Sequence, residues 1–404
     1  IKQYEDAFGY WVSRYDDKNR RAVLQRARDD LDNNKIEVSK FWKVFVKVET
    51  LLGKTPDSVK PRLICSDNTA KLVHTGPIFY AMSKCLGLYV FNNTSKFYST
   101  SGSTAEQVAE WFHQCLLDGY TTPVSTDFEK MDASQEQECI KADVAFTRIF
   151  LPGHEDVADN LDYDRVVGVD PHGTFFTNEA SFTSGANNTT VGNTNKNFAA
   201  TERTYNTLNI DYRMCAVGDD SIIMIKGEVP SMREVKKLFL ELGFKCDPQV
   251  APQPHFVEYC SSRMIENDTG WELQPKIGRL LAKTFHLTKY LPDENDQKAH
   301  LRALIKGLKY QWHLPVIGQV CKWILDSIGD GATATPTKVG EWQLRNSTLR
   351  EPSMKTACQL AEIYGIAVED LLNIELPEFK LGVVLDHPVL SKICEVDIYG
   401  SESF

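Results

Sequence analysis

The chain has no C-x-x-C pair, no cysteine beside a His pair at finger spacing, no apolar run of membrane-spanning length, no internal repeat and no low-complexity tract. Each absence removes a class of protein. Ten scattered cysteines in 404 residues make neither a disulfide framework nor a structural zinc site, and they point to a reducing compartment. A bilayer crossing needs roughly 18 to 20 consecutive apolar residues, so no membrane span is expected, and the charged N-terminus has no signal-peptide pattern. An excess of basic charge is also missing. The 45 Lys and Arg face 55 Asp and Glu, net −10, which argues against a protein that coats nucleic acid by bulk charge. A local basic channel stays open. Lys40, Lys43, Lys47, Lys54, Lys60 and Arg62 are opposed in their stretch only by Glu49 and Asp57, whereas Glu375 to Phe404 is net acidic. Because the chain begins with Ile1, a piece of a longer product is expected, with anchors or further domains outside it.

What is present suffices for a core: 42% of residues are hydrophobic, and the length predicts two or three packed subdomains or one large enzyme body. The stretch from Tyr15 to Asp32 reads as a charged helix, and Phe41 to Thr50 alternates like a strand before Gly53 and Pro56. Helical spacing returns over Ala105 to Leu117. "YTTPVSTDFEKMDAS" reads as a short strand that stops at carboxylates, with a helix starting near Ala133. Phe146 to Asn187 reads as loops and short strands. "SGANNTTVGNTNKNFAAT" then runs from a polar loop into a helix. "MCAV" and "SIIMI", joined by "GDD", predict a hairpin. A helix over Ser231 to Leu242 ends at Gly243, and beyond Phe256 one short strand precedes helical periodicity to about Asn373.

Two pairs of carboxylates stand at predicted strand ends, Asp127 with Asp132 and Asp219 with Asp220. If their strands are neighbours, Asp127 and Asp219 project from one sheet edge and form an all-oxygen site for hard cations such as Mg2+. Two metals about 3.5–4 Å apart on such carboxylates serve in-line phosphoryl displacement. Blander readings compete: Gly-Asp suits any turn, and Asp127 or Asp132 could cap the helix expected at Ala133.

Between the pairs lies Ser-Gly, three residues, Thr, three residues, Asn, at Ser184, Gly185, Thr189 and Asn193. With motif A at Asp127 and Asp132, motif B at these four residues and motif C at Gly218, Asp219 and Asp220, the chain resembles the RNA-dependent RNA polymerases of positive-strand RNA viruses. "FVKVETLLGKTPDSVKPRLICSDN" is similar to motif F, "SMREVKKLFLELGFKCD" to motif D and "HFVEYCSSRMI" to motif E, so the resemblance covers roughly Phe45 to Ile265. "FVKVE", "PRLI", "CSSRM" and "GRLLAKTF" most resemble the noda-like and tombus-like members.

The resemblance implies an α+β right-hand polymerase with fingers, an antiparallel palm sheet flanked by helices, and a mostly helical thumb. The corresponding segments are fingers 1–118, palm 119–134, an insertion 135–181, palm 182–255, and motif E with thumb 256–404. It implies Asp127, Asp219 and Asp220 as metal ligands for two Mg2+ ions, with Mn2+ as an alternative. Asp132 and Asn193 would bind the ribose 2′-OH, Ser184 and Gly185 would bring backbone close to a base or ribose, and Thr189 would pack or hydrogen-bond near the same sugar. Lys47, Lys60 and Arg62 would meet the triphosphate, with Lys43 and Lys54 as rivals of Lys47. Lys245 is the candidate general acid toward pyrophosphate, with Lys236 and Lys237 as rivals. Two basic stripes, Lys276, Arg279 and Lys283 and then Lys298, Arg302 and Lys306, read either as solvated faces or as a seat for product RNA. The implied partners are template and nascent RNA, NTPs and other viral replication proteins, in host cytoplasm at membrane-associated complexes reached through elements outside this chain. A cyclase or terminal transferase using the same carboxylates, and a non-catalytic RNA-binding scaffold, are the competing classes.

Overall fold

The computed structural model describes residues 7–39, 41–47, 52–53, 56–58, 62–161, 165–179, 182–284, 291–334, 349–381 and 386–400. The chain forms two units: the first takes 1–47, 61–102 and 119–250, the second 48–60, 103–118 and 251–404.

In the first unit, α1 (Ala7–Ser13) and α2 (Lys18–Asp32) pack on α3 (Thr69–Cys85) around Trp11, Leu24 and Val73. Asp17 caps α2 by accepting from the Asn19 and Arg20 amides, as its short carboxylate allows. A four-stranded sheet follows in the order β2-β1-β5-β6, built from β1 (Phe41–Val46), β2 (Leu63–Asp67), β5 (Arg165–Val169) and β6 (Phe175–Glu179). Helix α4 (Ala105–Leu117) belongs to the second unit. Helices α5 (Gln137–Phe150) and α6 (Glu155–Asp159) share a core with α3 through Phe79, Met82, Ile140 and Val144.

The sheet that positions the carboxylates has the order β3-β7-β8-β4-β9, from β3 (Phe97–Ser99), β4 (Thr122–Phe128), β7 (Asp211–Val217), β8 (Asp220–Lys226) and β9 (Cys246–Val250). It is antiparallel except for β3 beside β7. Helices α7 (Thr189–Thr207) and α8 (Met232–Glu241) pack on it around Val124, Phe128, Phe198, Met214, Ile223, Val235 and Phe239. Strand β8 runs Ser-Ile-Ile-Met-Ile with all five residues buried, which is why its sequence is continuously apolar rather than alternating.

The second unit holds a sheet of β10 (Glu258–Tyr259), β11 (Ser262–Asn267) and β12 (Gly270–Pro275), with α4 against β12. Helical periodicity was expected soon after Phe256, yet strand pairing persists to Pro275. Met264, Ile265 and Gln274 are buried in an antiparallel ladder that a helical reading could not separate from core spacing. Then come α9 (Ile277–Thr284), α10 (Glu294–Gly307), α11 (Pro315–Ile328), α12 (Met354–Tyr364), α13 (Val368–Leu372) and α14 (Pro388–Tyr399), around Ile305, Ile317, Ile324, Leu360 and Ile393. All ten cysteines are free thiols. Among the described residues no helix is long and apolar enough to cross a membrane.

Two expectations about basic residues are corrected in this unit. Lys276 is buried, ion-paired with Glu258 at 2.5 Å, and held below the usual lysine range by that burial. Arg302 is buried too, donating to the carbonyls of Ile328, Gly329 and Ala332 at the end of α11. A guanidinium there satisfies helix-terminal carbonyls and meets the negative end of the helix dipole, so it cannot also lie on an exposed basic face. Lys298 pairs with Glu294 at 2.6 Å, and Arg279 is half-buried. Lys283 and Lys306 are the exposed members of the two stripes.

Candidate active site

The two carboxylate motifs meet in the first unit because β4 and β8 are neighbours. Thr126 stands opposite Ser221, and Asp127 is the next residue along β4. Residues Val217 and Asp220 close the β7–β8 hairpin, leaving Gly218 and Asp219 as its two-residue turn. Gly218 has φ +65°, the left-handed conformation that glycine adopts without a Cβ penalty. Asp127, Asp219 and Asp220 are all exposed at this edge.

Although Asp127 reaches solvent, partial desolvation of its carboxyl pushes it above the usual carboxylate range, and the charges of Asp219 and Asp247 push it further. Asp247 went unnoticed in the sequence. It faces Asp127 across the β4–β9 pair, where like charges repel, and its own carboxyl is lowered by an ion pair with Lys236. The donor set is hard carboxylate oxygen, which fits a divalent metal ion. Among the described residues no three His, Cys, Asp or Glu side chains already stand as a metal cage. A Mg2+ ion taken by one or two carboxylates plus substrate phosphates needs no such cage.

Asp132 does not cap a helix. Residues 129–134 form turns, and α5 starts at Gln137 rather than near Ala133. Asp127 likewise lies inside β4, so the helix-cap readings of both residues fall away. Instead the Asn193 Nδ2 donates to Asp132 Oδ1 at 2.6 Å, joining motifs A and B across 61 residues of sequence. Burial raises the Asp132 carboxyl above its usual range, the Asn193 bond opposes that rise, Asp219 adds to it, and Lys196 opposes it. Lys196 itself is ion-paired with the buried Asp143 of α5 and sits over the Phe182 ring.

The loop before α7 rests on β2. Gly185 bridges to Ser66, and a Cβ at Gly185 would meet the Cys65 carbonyl oxygen at 2.6 Å, so the close approach itself demands glycine. The Ser184 hydroxyl lies 3.5 Å from the Leu63 carbonyl, and the Asn187 amide donates to Asp67 at 3.0 Å. The Thr189 hydroxyl lies 2.8 Å from the Thr183 carbonyl and 2.9 Å from that of Ala186, within the loop. Lys47 and Arg62 flank the same β1–β2 pair, joined by a backbone bond from Lys47 N to Arg62 O of 2.8 Å. Lys60 lies outside the described residues. Lys245 is exposed, while Lys237 pairs with Glu241 and Lys236 with Asp247.

Helix α7 also holds the Gly218–Asp219 turn, a role that motif spacing did not reveal. The Gly218 amide donates to the Thr194 hydroxyl at 2.8 Å, and the Asn197 Nδ2 donates to the Gly218 and Asp219 carbonyls at 3.2 Å each. A signal existed in the sequence: Asn193, Asn197, Thr201 and Thr204 recur at helical spacing, and all four are buried. A polar stripe that a helix buries has to find partners.

A family model described as viral RNA-dependent RNA polymerase matches residues 78–354. No curated protein matches the chain. The matched span contains Asp127, Asp132, the α7 loop, the Gly218–Asp219 turn and Asp247, so the residues that the fold gathers from distant sequence all fall within one family domain. Because that domain takes in more than half of the sequence, the chain belongs to the viral RNA-dependent RNA polymerases, nucleotidyltransferases that join ribonucleoside triphosphates on an RNA template.

Proposed function

We propose that the edge carrying Asp127 and Asp219 is a two-metal nucleotidyl-transfer site, used for viral genome replication and transcription. The observation that carries this reading is the β4–β8 pairing, which brings Asp127 beside the Gly218–Asp219 turn, together with the Asp132–Asn193 hydrogen bond. Mg2+ ions bound there, or Mn2+ in their place, would lower the pKa of the attacking 3′-hydroxyl and neutralise the leaving pyrophosphate. Asp127 and Asp219 supply the principal oxygens, with Asp220 next to them. Asp132 accepts a hydrogen bond from the ribose 2′-OH with Asn193 beside it, Ser184 and Gly185 bring backbone close to the nucleotide, and Thr189 braces that loop. Lys47 and Arg62, beside the β1–β2 pair, contact the triphosphate as cations, and Lys60 is proposed as a third cation for it. With Lys236 and Lys237 engaged by carboxylates, Lys245 is the stronger candidate to protonate pyrophosphate.

In this reading the five-stranded sheet is the palm, the N-terminal helices and four-stranded sheet belong to the fingers, and the second unit is the thumb. Lys283 and Lys306 would touch the backbone of product RNA. The setting is the host cytoplasm, with other viral replication proteins, at membrane-associated complexes.

The test is incorporation of labelled UMP on poly(A), with and without primer, in Mg2+ and then Mn2+. Template-dependent incorporation that Asp219→Asn abolishes while RNA affinity is kept is the expected result. Incorporation without template would make the protein a terminal transferase, and full activity in Asp219→Asn would remove the carboxylates from the chemistry.

A further inference from the structure

We propose that Gln135 is a positioning residue that sets sugar choice, by holding the Asn193 amide with its NH2 toward Asp132; this rests on the reading of Asp132 and Asn193 as ribose contacts. Gln135 lies between the turns that carry Asp132 and the start of α5. Its Nε2 donates to Asn193 Oδ1 at 2.8 Å, and Asn193 Nδ2 donates in turn to Asp132 Oδ1 at 2.6 Å. Gln135 is 1% exposed and Asn193 4% exposed, so water does not compete for either amide.

The direction of this chain matters chemically. An amide can present its NH2 or its carbonyl, whereas an ionised carboxylate only accepts. With the carbonyl of Asn193 turned toward Asp132, two acceptors would face each other in a site that already disfavours the carboxylate charge. The donor from Gln135 occupies the Asn193 oxygen and so excludes that orientation. Asp132 is then met by an NH2, stays ionised more readily, and keeps a second oxygen for a 2′-OH.

The other end of Gln135 strengthens the case. Its Oε1 is buried with no hydrogen-bond partner among the described residues, and a buried unsatisfied acceptor is costly. An apolar side chain of similar length would fill the same space without that cost. The glutamine thus contributes its donor, and that donor goes to one atom of the ribose pair.

The experiment measures kcat/KM for NTP and for the matching dNTP in wild type, Gln135→Met, Asn193→Ala and the double variant. Methionine keeps the length and apolar fit but cannot donate. The expected result for Gln135→Met is a loss of roughly three- to tenfold with NTP, the scale of one weakened hydrogen bond, and little change with dNTP, so the preference narrows. The double variant should narrow it no further than Asn193→Ala alone. Equal losses for both sugars, or an unchanged ratio, would mean that Gln135 only packs. If Asn193→Ala narrows the ratio and Gln135→Met does not, the ribose pocket stands and Gln135 leaves it. If Asn193→Ala itself leaves the ratio unchanged, the ribose reading fails and Gln135 falls with it. Should Gln135→Met not fold by thermal melting, Gln135→Ala carries the same comparison.

Discussion

Burial, then the charge of Asp219, then that of Asp247 raise the Asp127 carboxyl above its usual range. The native protein therefore holds this proton to a higher pH than the unfolded chain does. Between the unfolded and folded values the native state binds more protons, so the contribution of Asp127 to stability is full below that window and is lost as pH rises through it. Cation binding runs the other way, because it needs the ionised form. Asp127→Asn should therefore abolish nucleotide incorporation while raising the melting temperature at neutral pH. That gain should shrink at acid pH, where wild-type Asp127 takes up its proton and the repulsion is gone. Melting curves at the two pH values check it, and a variant that is inactive but less stable at neutral pH would show that Asp127 packs rather than repels.

At the scale of elements, α7 does two jobs through one buried polar stripe. Asn193 reaches the turn after β4, and Thr194 and Asn197 grip the turn between β7 and β8. Asn197→Ala should cost about 1–3 kcal/mol, because two turn carbonyls lose their donor, and it should lower incorporation by letting Asp219 shift. The urea midpoint and the turnover rate should fall together; a lower midpoint with unchanged turnover would separate the turn from the chemistry. Gly185→Ala tests the other end of the same helix. Its Cβ would meet the Cys65 carbonyl at 2.6 Å, so either the loop or β2 must move, at a cost of about 1–3 kcal/mol. The expected kinetic signature is a higher KM for NTP, since Arg62 and Lys47 border the displaced strand pair, and an unchanged KM would argue that the loop serves only to start α7.

Across the whole molecule, the second unit is tied together by a charged centre rather than by apolar packing alone. Asp397 of α14 is fully buried at its side chain. It accepts from Arg263 of β11, from the Gly278 amide of α9 at 2.7 Å and from the Tyr364 hydroxyl of α12 at 3.0 Å. Three elements, β11, α9 and α12, thus converge on the carboxylate of a fourth. Asp397→Ala strands a buried guanidinium and should destabilise the protein by about 3–5 kcal/mol, whereas Asp397→Asn keeps one acceptor and should cost less. Thermal unfolding of the full chain reads both. Equal, small losses would show that Glu258, 2.8 Å from Arg263, is a sufficient partner by itself.

The sequence alone determined the parts whose signals are local. The β7–β8 hairpin was legible because Gly218 and Asp219 break two apolar runs, α4 because Val108, Trp111, Phe112 and Leu116 recur at helical spacing, and the end of α8 because Gly243 follows it, where the structure has φ +86°. The order and spacing of the motifs carried the family. Tertiary structure decided what no window of residues contains. Asp247 joins the carboxylates only because β9 pairs with β4. Arg302 became a helix cap rather than part of a basic face because α11 ends beside it. The turns at 129–134 replaced the expected helix start, which freed Asp132 to meet Asn193. Helix and turn propensities act over a few residues, whereas hydrogen bonds between buried groups and repulsion between like charges act through space. The chemistry of this site rests on the second kind, which exists only once the strands have paired.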